Sequence, residues 1–406
     1  MPPPNEEFIL MNTADRAREM AGDLIAWRRE LHRCPEVGLD TPVTAAYISG
    51  KLRQMGIEHR NNVGGSGIVG IIAGMGAGGT LGLRSDMDGL AIREETGLPF
   101  ASENSRMHAC GHDAHMAMLL GAAKILQENR SLFQGAVKLI FQPGEEGLGG
   151  ARRMIEEGVL EAPKVDAIIG QHIFISEYLL PGQVGIYYGG MMASMDRFRI
   201  KILGKGCHGA MPETGVDPVV IAGQVISSLQ TIVSREISPL KPAVITIGKI
   251  HGGTAFNVIP DEVEMEGTVR TLDTEIRKKI AARIGGIVEG VARSHGGSHE
   301  CWYDFGYPPL VNDIDCTNEL AASAKKILGE KAVVVLPAPT MVSEDMAYYL
   351  EKVPGTFYEL GGNKTGGGAD FPHHNARFDI NEDVLWKGTA VLVQAAMDWL
   401  ENRITP

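Results

Sequence analysis

The segment Met107–Leu126, MHACGHDAHMAMLLGAAKIL, combines a cluster of reactive side chains with an apolar run. Its first nine residues hold five side chains that can bind a metal ion or transfer a proton: His108, Cys110, His112, Asp113 and His115. Gly111 permits the backbone angles that let Cys110 and His112 close on one ion. The apolar residues from Met116 onward predict a helix, so the potential ligands lie at a helix start. Histidine and cysteine are also common in buried cores, so the segment alone leaves a structural role open.

Further acidic and imidazole groups follow apolar segments on either side of this cluster. Three such segments are predicted strands: Leu81–Arg84 before Asp86 and Asp88, Val137–Gln142 before Glu145 and Glu146, and Asp166–Gly170 before His172. Helical stretches at 114–129 and 149–158 lie between them, and this alternation predicts a mainly parallel sheet with helices on both faces. Ligands of such sheets bind beyond the carboxyl ends of the strands, so we expect these groups to converge.

Each of these groups also has a structural interpretation. Adjacent carboxylates in a turn are usually solvated, a histidine that ends an apolar strand usually belongs to the core, and aspartates often form turns. In the functional interpretation, one of Glu145 and Glu146 binds metal, and the other is the general base for a water held there. One aspartate of the pair Asp86 and Asp88 then orients a ligand imidazole. A later pair, His373-His374, offers one more ligand, and spacing alone does not decide which of the two.

The strand and helix pattern changes after about residue 190. Strands are predicted at 196–203, 243–250, 263–270 and 299–304, with helices at 218–236 and 274–294. This βαββαβ order is the ferredoxin-like arrangement. After about residue 307 the chain returns to short strands and helices, among them the glycine-rich loop 361–368. The predicted fold class is therefore α/β, with a catalytic domain of residues 1–190 and 307–406 and an inserted ferredoxin-like α+β domain of residues 191–306.

Composition narrows the class of protein. A chain of 406 residues is long enough for two domains, and a net charge of -12 gives no reason to expect nucleic acid or an anionic membrane as a partner. Five scattered cysteines do not form a disulfide framework and indicate a reducing, cytoplasmic location. No apolar run reaches ~18 residues, so no membrane span is expected, and the N-terminal residues lack a signal-peptide pattern. Thr13 or Asp15 is expected to cap a helix that carries Met20, Leu24, Trp27 and Leu31 at helical spacing.

Several longer motifs resemble those of the metal-dependent amidohydrolases of the aminoacylase/carboxypeptidase family. The likeness is strongest to the hippurate-hydrolase and auxin-conjugate-hydrolase branch, and it runs from about residue 20 to about residue 400. The motifs that carry it are LRSDMDGL (83–90), MHACGHD (107–113), FQPGEEG (141–147), GKGCHGA (204–210), LQTIVSR (229–235), GGTAFNVIP (252–260) and GTVRT (267–271).

The resemblance implies a site for two divalent metal ions, which can be zinc, manganese, cobalt or nickel. It matches the family's ligand positions to Cys110, His112, Glu146, His172 and His374. His374 is chosen over His373 because it stands four residues before Phe378, as in the family's His-x-x-x-Phe pattern. Glu145 matches the general base, and Asp88 matches the aspartate that supports a ligand histidine.

The inserted domain resembles the family's lid, which also forms the homodimer. His208 matches a histidine that reaches the partner subunit's active site and stabilises the oxyanion there. Asn257 matches a position near the substrate, and Arg270 matches one where a guanidinium suits the substrate carboxylate. Without the resemblance, His208 is a surface histidine, Asn257 a turn residue and Arg270 a solvated charge.

The expected reaction is hydrolysis of an N-acyl amino acid, hippurate-like or N-acetylated, to a carboxylic acid and a free amino acid. One alternative is dipeptidase or carboxypeptidase activity at the same site. Others are thiol catalysis by Cys110 and a non-catalytic metal-binding or peptide-binding module. Four residues depart from the family's commoner choices, namely Gly144, Glu213, Met346 and His373. None is a proposed ligand, but Glu213 and Met346 leave substrate specificity open.

Overall fold

A computed structural model describes residues 6–364 and 370–403. Part of the predicted glycine-rich loop 361–368 therefore lies outside the described residues. The chain forms two compact units: unit 1 comprises Met1–Gly189, Asn312–Ala338 and Tyr348–Pro406, and unit 2 comprises Gly190–Val311 and Pro339–Ala347. The prediction put the insertion at 191–306, whereas unit 2 extends to Val311 and includes a short later segment.

The strands are numbered in chain order. They are β1 (Glu58–Val63), β2 (Gly67–Ala73), β3 (Thr80–Asp86), β4 (Ala136–Gln142), β5 (Ala167–Phe174), β6 (Val184–Ile186), β7 (Gly189–Met192), β8 (Met195–Leu203), β9 (Cys207–His208), β10 (Ala243–Gly252), β11 (Val258–Ile259), β12 (Glu262–Thr271), β13 (Ser298–Tyr307), β14 (Leu310–Asn312), β15 (Val333–Val335) and β16 (Gly355–Gly361).

The helices are numbered in the same way. They are α1 (Glu6–Glu19), α2 (Ala21–His32), α3 (Pro42–Gln54), α4 (His112–Glu128), α5 (Gly150–Glu156), α6 (Pro218–Thr231), α7 (Thr274–Ser294), α8 (Ile314–Leu328), α9 (Ala347–Leu350) and α10 (Leu385–Glu401). Among the described residues, no helix combines the length and the apolar character that crossing a bilayer demands.

Unit 1 is built on one sheet with the strand order β1-β2-β4-β3-β5-β16-β6-β15. The central strands β4, β3, β5 and β16 run parallel, whereas β1, β2 and β4 pair antiparallel at one side. The predicted mainly parallel sheet is confirmed. Because β3, β4 and β5 point the same way, the residues that follow them emerge at one edge of the sheet.

Helix α4 lies in the core of unit 1. From His112 to Leu126 every residue except Lys124 is buried. A helix that is apolar on all sides belongs in a protein interior, which explains why the run after Met116 shows no polar face. The helix start is therefore held inside the protein together with the reactive residues that precede it.

Two local predictions in unit 1 were incomplete or wrong. Helix α1 already begins at Glu6, so Thr13 and Asp15 lie inside it, and the helix that carries Leu24, Trp27 and Leu31 is the separate α2, whose N-cap is Met20. Strand β1 was not predicted, because its sequence EHRNNV is almost entirely polar. It occupies a sheet edge, where only one neighbour is needed and side chains face solvent.

Unit 2 has the predicted ferredoxin-like order β8-α6-β10-β12-α7-β13. Its four strands form an antiparallel sheet in the order β10-β12-β8-β13. Alternate residues of β8, Phe198, Ile200 and Ile202, are buried in a cluster with apolar residues of α6 and α7. The other alternate residues of β8 carry charge, as expected for a sheet with one covered face.

Candidate metal centre

The backbone at Gly111 brings the cysteine and the histidine of the central motif together. Gly111 has a φ of 86° and directly precedes His112, the first residue of α4. A Cβ at this position would lie 2.5 Å from Cγ2 of Ile173 on β5. Both the left-handed backbone and this close approach require glycine. The motif is therefore held against the end of β5, the strand that carries His172.

The five predicted ligands lie close together within unit 1. The donor atoms of Cys110, His112 and His172 all lie within 4.8 Å of one another, and those of Cys110, Glu146 and His374 form a second such group. Cys110 Sγ lies 3.5 Å from His172 Nε2. Cys110 is common to both groups, so the arrangement has the form of two adjacent sites that share one sulfur. That these residues bind metal remains a prediction.

Unpaired polar atoms in the cluster fit a metal ion. Among the described residues, the buried atoms His112 Nε2 and Glu146 Oε1 have no hydrogen-bond partner, although Glu146 Oε1 lies within ion-pair distance of His374 Nε2 and His112 Nε2. Burying such atoms without a partner is costly, and a cation between them removes the cost. Imidazole, thiolate and carboxylate are together suited to zinc, manganese, cobalt or nickel. The residues present therefore fit the implied pair of divalent ions.

Main-chain carbonyls orient two of the imidazoles. The Nδ1 of His112 lies 2.7 Å from the carbonyl oxygen of Asp88, and the Nδ1 of His172 lies 2.7 Å from that of Ile173. A carbonyl oxygen only accepts, so each Nδ1 must carry a proton, and in the neutral ring this leaves the lone pair on Nε2. This is the tautomer that a ligand histidine needs.

Asp88 faces His112 with both its main chain and its carboxylate. Its carbonyl oxygen lies 2.7 Å from His112 Nδ1, and its carboxylate Oδ1 lies 3.7 Å from the same nitrogen. Its carboxylate accepts hydrogen bonds from the backbone N–H groups of Glu145, at 3.0 Å, and Glu146, at 3.2 Å. Burial raises the pKa of Asp88. One residue thus fixes both a histidine and the turn that presents the two glutamates.

The Glu145 carboxylate lies beside the centre. Its oxygen is within 4.8 Å of the donor atoms of His112 and Glu146. Glu145 is 7% exposed, and its main chain is fixed by Asp88. A carboxylate held next to a metal position can take a proton from a water located there.

The two C-terminal histidines have different surroundings. His374 Nε2 lies 3.4 Å from Glu146 Oε1, and its backbone N–H donates to the carbonyl of Ala109. His373 points its Nε2 at the carbonyl of Ile173, at 3.1 Å, and its ring lies against Phe174 and Phe378. His374 is thus the member of the pair that joins the donor group, whereas His373 packs into the core.

His115 is an unpredicted support for the centre. Its Nδ1 lies 2.6 Å from Asp86 Oδ1, and its Nε2 accepts the backbone N–H of Ile173 at 2.8 Å. Both ring nitrogens are occupied, so His115 is a poor candidate ligand. Burial opposes ionisation of Asp86, but its neighbours His112, His115 and Arg84 hold its pKa well below the ordinary value. The helical spacing from His112 to His115 was the available signal, because residues three apart share a helix face.

The electrostatics of Cys110 disfavour the thiol mechanism. Burial raises the pKa of this thiol, and the negative charge of Glu146 raises it further. A nucleophilic cysteine needs a lowered pKa and positive surroundings. A bound cation reverses the balance, because it deprotonates a coordinating thiol. The surroundings of Cys110 therefore suit a ligand better than a nucleophile.

Three predicted substrate residues belong to unit 2. His208 is exposed on β9 and pairs with Val258, the residue after Asn257. The backbone carbonyl of Asn257 accepts from Gly209 N at 2.8 Å, so Asn257 flanks the small sheet that carries His208. Arg270 lies apart on β12 and donates from Nη1 to Ser343 Oγ at 3.0 Å. Their roles in substrate binding remain predictions.

Comparison with known proteins identifies relatives along most of the chain. Residues 82–398 match the model of peptidase family M20/M25/M40. The chain is 42% identical over 380 residues to N-acetyl-L-cysteine deacetylase of Bacillus subtilis, covering 93% of this chain and 88% of the relative. It is 43% identical over 296 residues to N-acyl-L-amino acid amidohydrolase of Geobacillus stearothermophilus, covering 72% and 79%.

A solved structure agrees with these relatives. It is a Bacillus subtilis protein described as a dinuclear metal binding peptidase of the M20 family, and it is 36% identical to this chain. The TM-score is 0.82, and the match covers 94% of this chain and 99% of the other. The resemblance that the sequence motifs predicted is thereby confirmed: the chain belongs to peptidase family M20/M25/M40.

Proposed function

We propose that this protein is a metal-dependent amidohydrolase that cleaves the amide bond of N-acyl amino acids. The observation that carries the proposal is the pair of donor groups sharing Cys110, with Glu145 beside them. The products are a carboxylic acid and a free amino acid. The relatives named as a deacetylase and an amidohydrolase of such compounds support this substrate class.

The cofactor is a pair of divalent metal ions, held by Cys110, His112, Glu146, His172 and His374. When bound, they lower the pKa of a water molecule and polarise the amide carbonyl. Cys110, His112 and His172 form one donor group, and Cys110, Glu146 and His374 form the other. Zinc, manganese, cobalt and nickel all suit this mixture of sulfur, nitrogen and oxygen donors.

Glu145 moves the proton. It accepts a proton from the attacking water as the oxygen of that water bonds to the amide carbon. It then donates this proton to the amide nitrogen, so that the carbon–nitrogen bond breaks and a neutral amine leaves. The backbone hydrogen bonds from the Glu145-Glu146 turn to Asp88 keep the carboxylate in place during both transfers.

Substrate recognition is assigned to unit 2 by family resemblance. Arg270 and Asn257 bind the substrate carboxylate, and the partner subunit's His208 stabilises the oxyanion. This assignment requires a homodimer formed through the inserted domain, which light scattering coupled to size exclusion would test. The expected cytoplasmic location agrees with free thiols at all five cysteines.

The proton-transfer role is tested by Glu145→Gln, which keeps the size of the side chain and removes its basicity. We expect the turnover number for an N-acetyl amino acid to fall about 100- to 10,000-fold. The metal content, measured by mass spectrometry, is expected to stay at two ions per chain. Glu103→Gln, at an exposed carboxylate, is the control. Turnover close to that of the unmodified protein would remove the base assignment.

Metal removal separates the proposal from thiol catalysis. Dialysis against a chelator is expected to abolish hydrolysis, and adding back zinc, manganese, cobalt or nickel is expected to restore it to different extents. A thiol enzyme would survive chelation and lose activity with iodoacetamide instead. Full activity of the stripped protein would therefore overturn the metal mechanism.

A second candidate function is cleavage of peptides at the same site, which the family description as a peptidase favours. Hippurate and N-acetyl amino acids lack a free amino group, whereas dipeptides carry one. Comparing kcat/KM for these two classes decides between them. A dipeptide preference would keep the metal chemistry and change the substrate class. No turnover of either class would favour a non-catalytic binding module.

A further inference from the structure

A buried ionic cluster joins two segments that carry proposed metal ligands. We call it the Arg28 cluster, and its members are Arg28, His32, Glu94, Asp113, Asp379 and Glu382. Arg28 lies on α2 with its side chain 1% exposed. Its guanidinium donates from Nε to Asp113 Oδ2 at 2.8 Å, from Nη2 to Asp379 Oδ1 at 3.1 Å and from Nη1 to Glu382 Oε1 at 3.0 Å. One side chain thus holds three carboxylates.

The carboxylates come from two distant stretches of chain. Asp113 lies in the first turn of α4, directly after His112 and three residues after Cys110. Asp379 and Glu382 follow His374 by five and eight residues. Arg28 therefore binds the segment with Cys110 and His112 on one side and the segment with His374 on the other. A backbone hydrogen bond from His374 N to Ala109 O, at 2.8 Å, joins the same two segments closer to the donor atoms.

His32 fixes the position of Asp113 from the same helix. One turn after Arg28, its Nδ1 lies 2.7 Å from Asp113 Oδ2 and its Nε2 lies 3.2 Å from Glu94 Oε1. Asp113 is fully buried, and the charges of Arg28 and His32 face it together. The aspartate next to His112 is thus held on one oxygen by two cations of α2.

Stability alone does not account for such a cluster. Moving charged groups out of water costs free energy. Apolar residues that pack well in the place of a buried ion pair often stabilise a protein as much as the ion pair does, or more. Hydrogen bonds between ions do, however, fix direction and distance more narrowly than apolar contacts. This property is needed where two chain segments must keep donor atoms at a metal-binding separation.

We propose that Arg28 is a positioning residue for the metal centre, holding the Cys110–His112 segment at a fixed distance from the His374 segment through Asp113, Asp379 and Glu382. The inference rests on the proposed function, because it assumes that these residues bind metal. Arg28 itself touches neither substrate nor the donor atoms in this role. The second donor group, which combines Cys110 with Glu146 and His374, depends on it most, because Cys110 comes from one of the two segments and His374 from the other.

Arg28→Lys is the decisive variant. Lysine keeps the positive charge, but its single ammonium group cannot reach three carboxylates in the fork geometry of a guanidinium. Changes to residues that orient metal ligands typically weaken metal binding about 10- to 100-fold. We expect a loss of this size for the second metal ion and a smaller loss for the first.

Arg29→Lys is the matched control. Arg29 is the next residue on α2 and is half-exposed, and it also donates to Glu382. Within the described residues it makes no hydrogen bond to Asp113 or Asp379, so it does not join the two segments. We expect Arg29→Lys to bind both ions as the unmodified protein does.

Cobalt(II) titration of the metal-free full chain gives a readout other than activity. The thiolate of Cys110 produces a sulfur-to-cobalt absorption band, and the visible bands of cobalt report ligand geometry. For Arg28→Lys we expect the second equivalent of cobalt to bind at least about tenfold more weakly, with altered visible bands. Circular dichroism and the thermal unfolding midpoint show whether the variant is folded. If it is not, Asp379→Asn, which weakens one arm of the bridge, is expected to change the same spectrum in the same direction.

The outcomes separate the two proposals. If Arg28→Lys, or the folded Asp379→Asn, binds both cobalt ions with the affinity and spectrum of the unmodified protein, the positioning role is wrong and the metal centre stands. Equal weakening in Arg29→Lys would also overturn it, because the effect would then not depend on the hydrogen bonds to Asp113 and Asp379 that, in the described part of the chain, Arg28 makes and Arg29 does not. If the unmodified protein shows no thiolate–cobalt band at all, the proposed metal centre fails, and the role of Arg28 fails with it.

Discussion

Units 1 and 2 place their charged side chains in opposite ways. Unit 1 buries ionisable groups around the candidate metal centre, including Arg28, Arg84, Asp86, Asp88 and Asp113. Unit 2 exposes a row of charged side chains on the open face of its sheet, where Arg197, Arg199 and Lys201 of β8 lie beside glutamates of β12. Burying charge is costly and exposing it is not, so the buried groups are the ones that require an explanation.

The exposed charged residues of β8 and their glutamate partners on β12, which we call the exposed ladder, follow from the alternation of side chains along a strand. Residues 197, 199 and 201 of β8 face solvent, while Phe198, Ile200 and Ile202 between them face the helices. The antiparallel register sets Lys201 opposite Glu264, and the long side chains also reach diagonal partners such as Glu266 for Arg197, at 2.6 Å. Any sheet with one covered face can carry such a ladder. The exposed ladder therefore indicates a solvent-exposed surface and gives no indication of a catalytic or metal-binding site.

The largest effect is expected for a buried ion pair in unit 2, formed by Asp196 and Arg277. Asp196 accepts from Arg277 Nη2 at 2.6 Å, from Tyr303 Oη at 2.8 Å and from Gly306 N at 3.1 Å. Asp196→Ala leaves the guanidinium buried without its partner, so we expect unit 2 to lose about 3–5 kcal/mol of unfolding free energy. Hydrogen exchange of β8 and β12 measures this loss. A loss below 1 kcal/mol would show that burial does not determine how much this ion pair contributes to the free energy of unfolding.

The second test uses the pH dependence of His32. Burial lowers the pKa of this histidine, but the carboxylates of Asp113 and Glu94 raise it to about 9, against an ordinary 6.5. The folded state thus holds its proton more tightly, so the stabilisation is complete below pH 6.5 and is lost as pH rises through 9. The difference corresponds to about 3 kcal/mol.

We expect the unfolding free energy of the chelated protein to fall between pH 6.5 and 9, and to fall less in His32→Gln. Chemical denaturation at several pH values measures it, and chelation removes the separate pH dependence of metal binding. His295→Gln, at an exposed histidine of unit 2, should keep the slope of the unmodified protein. Parallel slopes in the unmodified protein and His32→Gln would contradict the buried charge at His32.

The smallest effect is expected for the exposed ladder. Lys201→Ala removes contacts to Glu262, at 2.8 Å, and Glu264, at 3.6 Å. Exposed pairs of this kind contribute about 0.2–1 kcal/mol, and salt screens them. We expect a change in the thermal unfolding midpoint that is barely measurable and that vanishes in concentrated salt. A large, salt-independent change would remove the contrast between the two units.

Much of the architecture could be predicted from local patterns. Helix α7 was predicted with its observed ends, because an apolar stripe and the Asp273 cap mark it clearly. The strands that precede Asp86, Glu145 and His172 were also predicted, since buried parallel strands form continuous apolar runs. Strand β1 was missed because its polar sequence has no such run, and its pairing with β2 is a tertiary contact.

The candidate metal centre, too, could be predicted from the sequence only in part. Its residue types and their places after strands could be predicted, because side-chain chemistry and spacing are local properties. The hydrogen bonds of the Asp88 carboxylate could not be predicted, because its partners are backbone N–H groups 57 and 58 residues away along the chain. Arg28 was missed for the same reason: on α2 it follows Leu24 and Trp27 in an otherwise amphipathic helix, and its partners lie 85 to 354 residues along the chain.

The sequence by itself determined the fold class, the family and the set of side chains able to bind metal, because periodicity and residue chemistry are present in short stretches of chain. The His-x-x-x-Phe pattern already favoured His374 over His373 as a ligand, but only the tertiary structure shows that the His373 ring packs against Phe174. It also decided which carboxylates surround Arg28. A buried polar group must find its partner wherever the fold brings one within about 3 Å, and that choice depends on contacts between residues far apart in the chain.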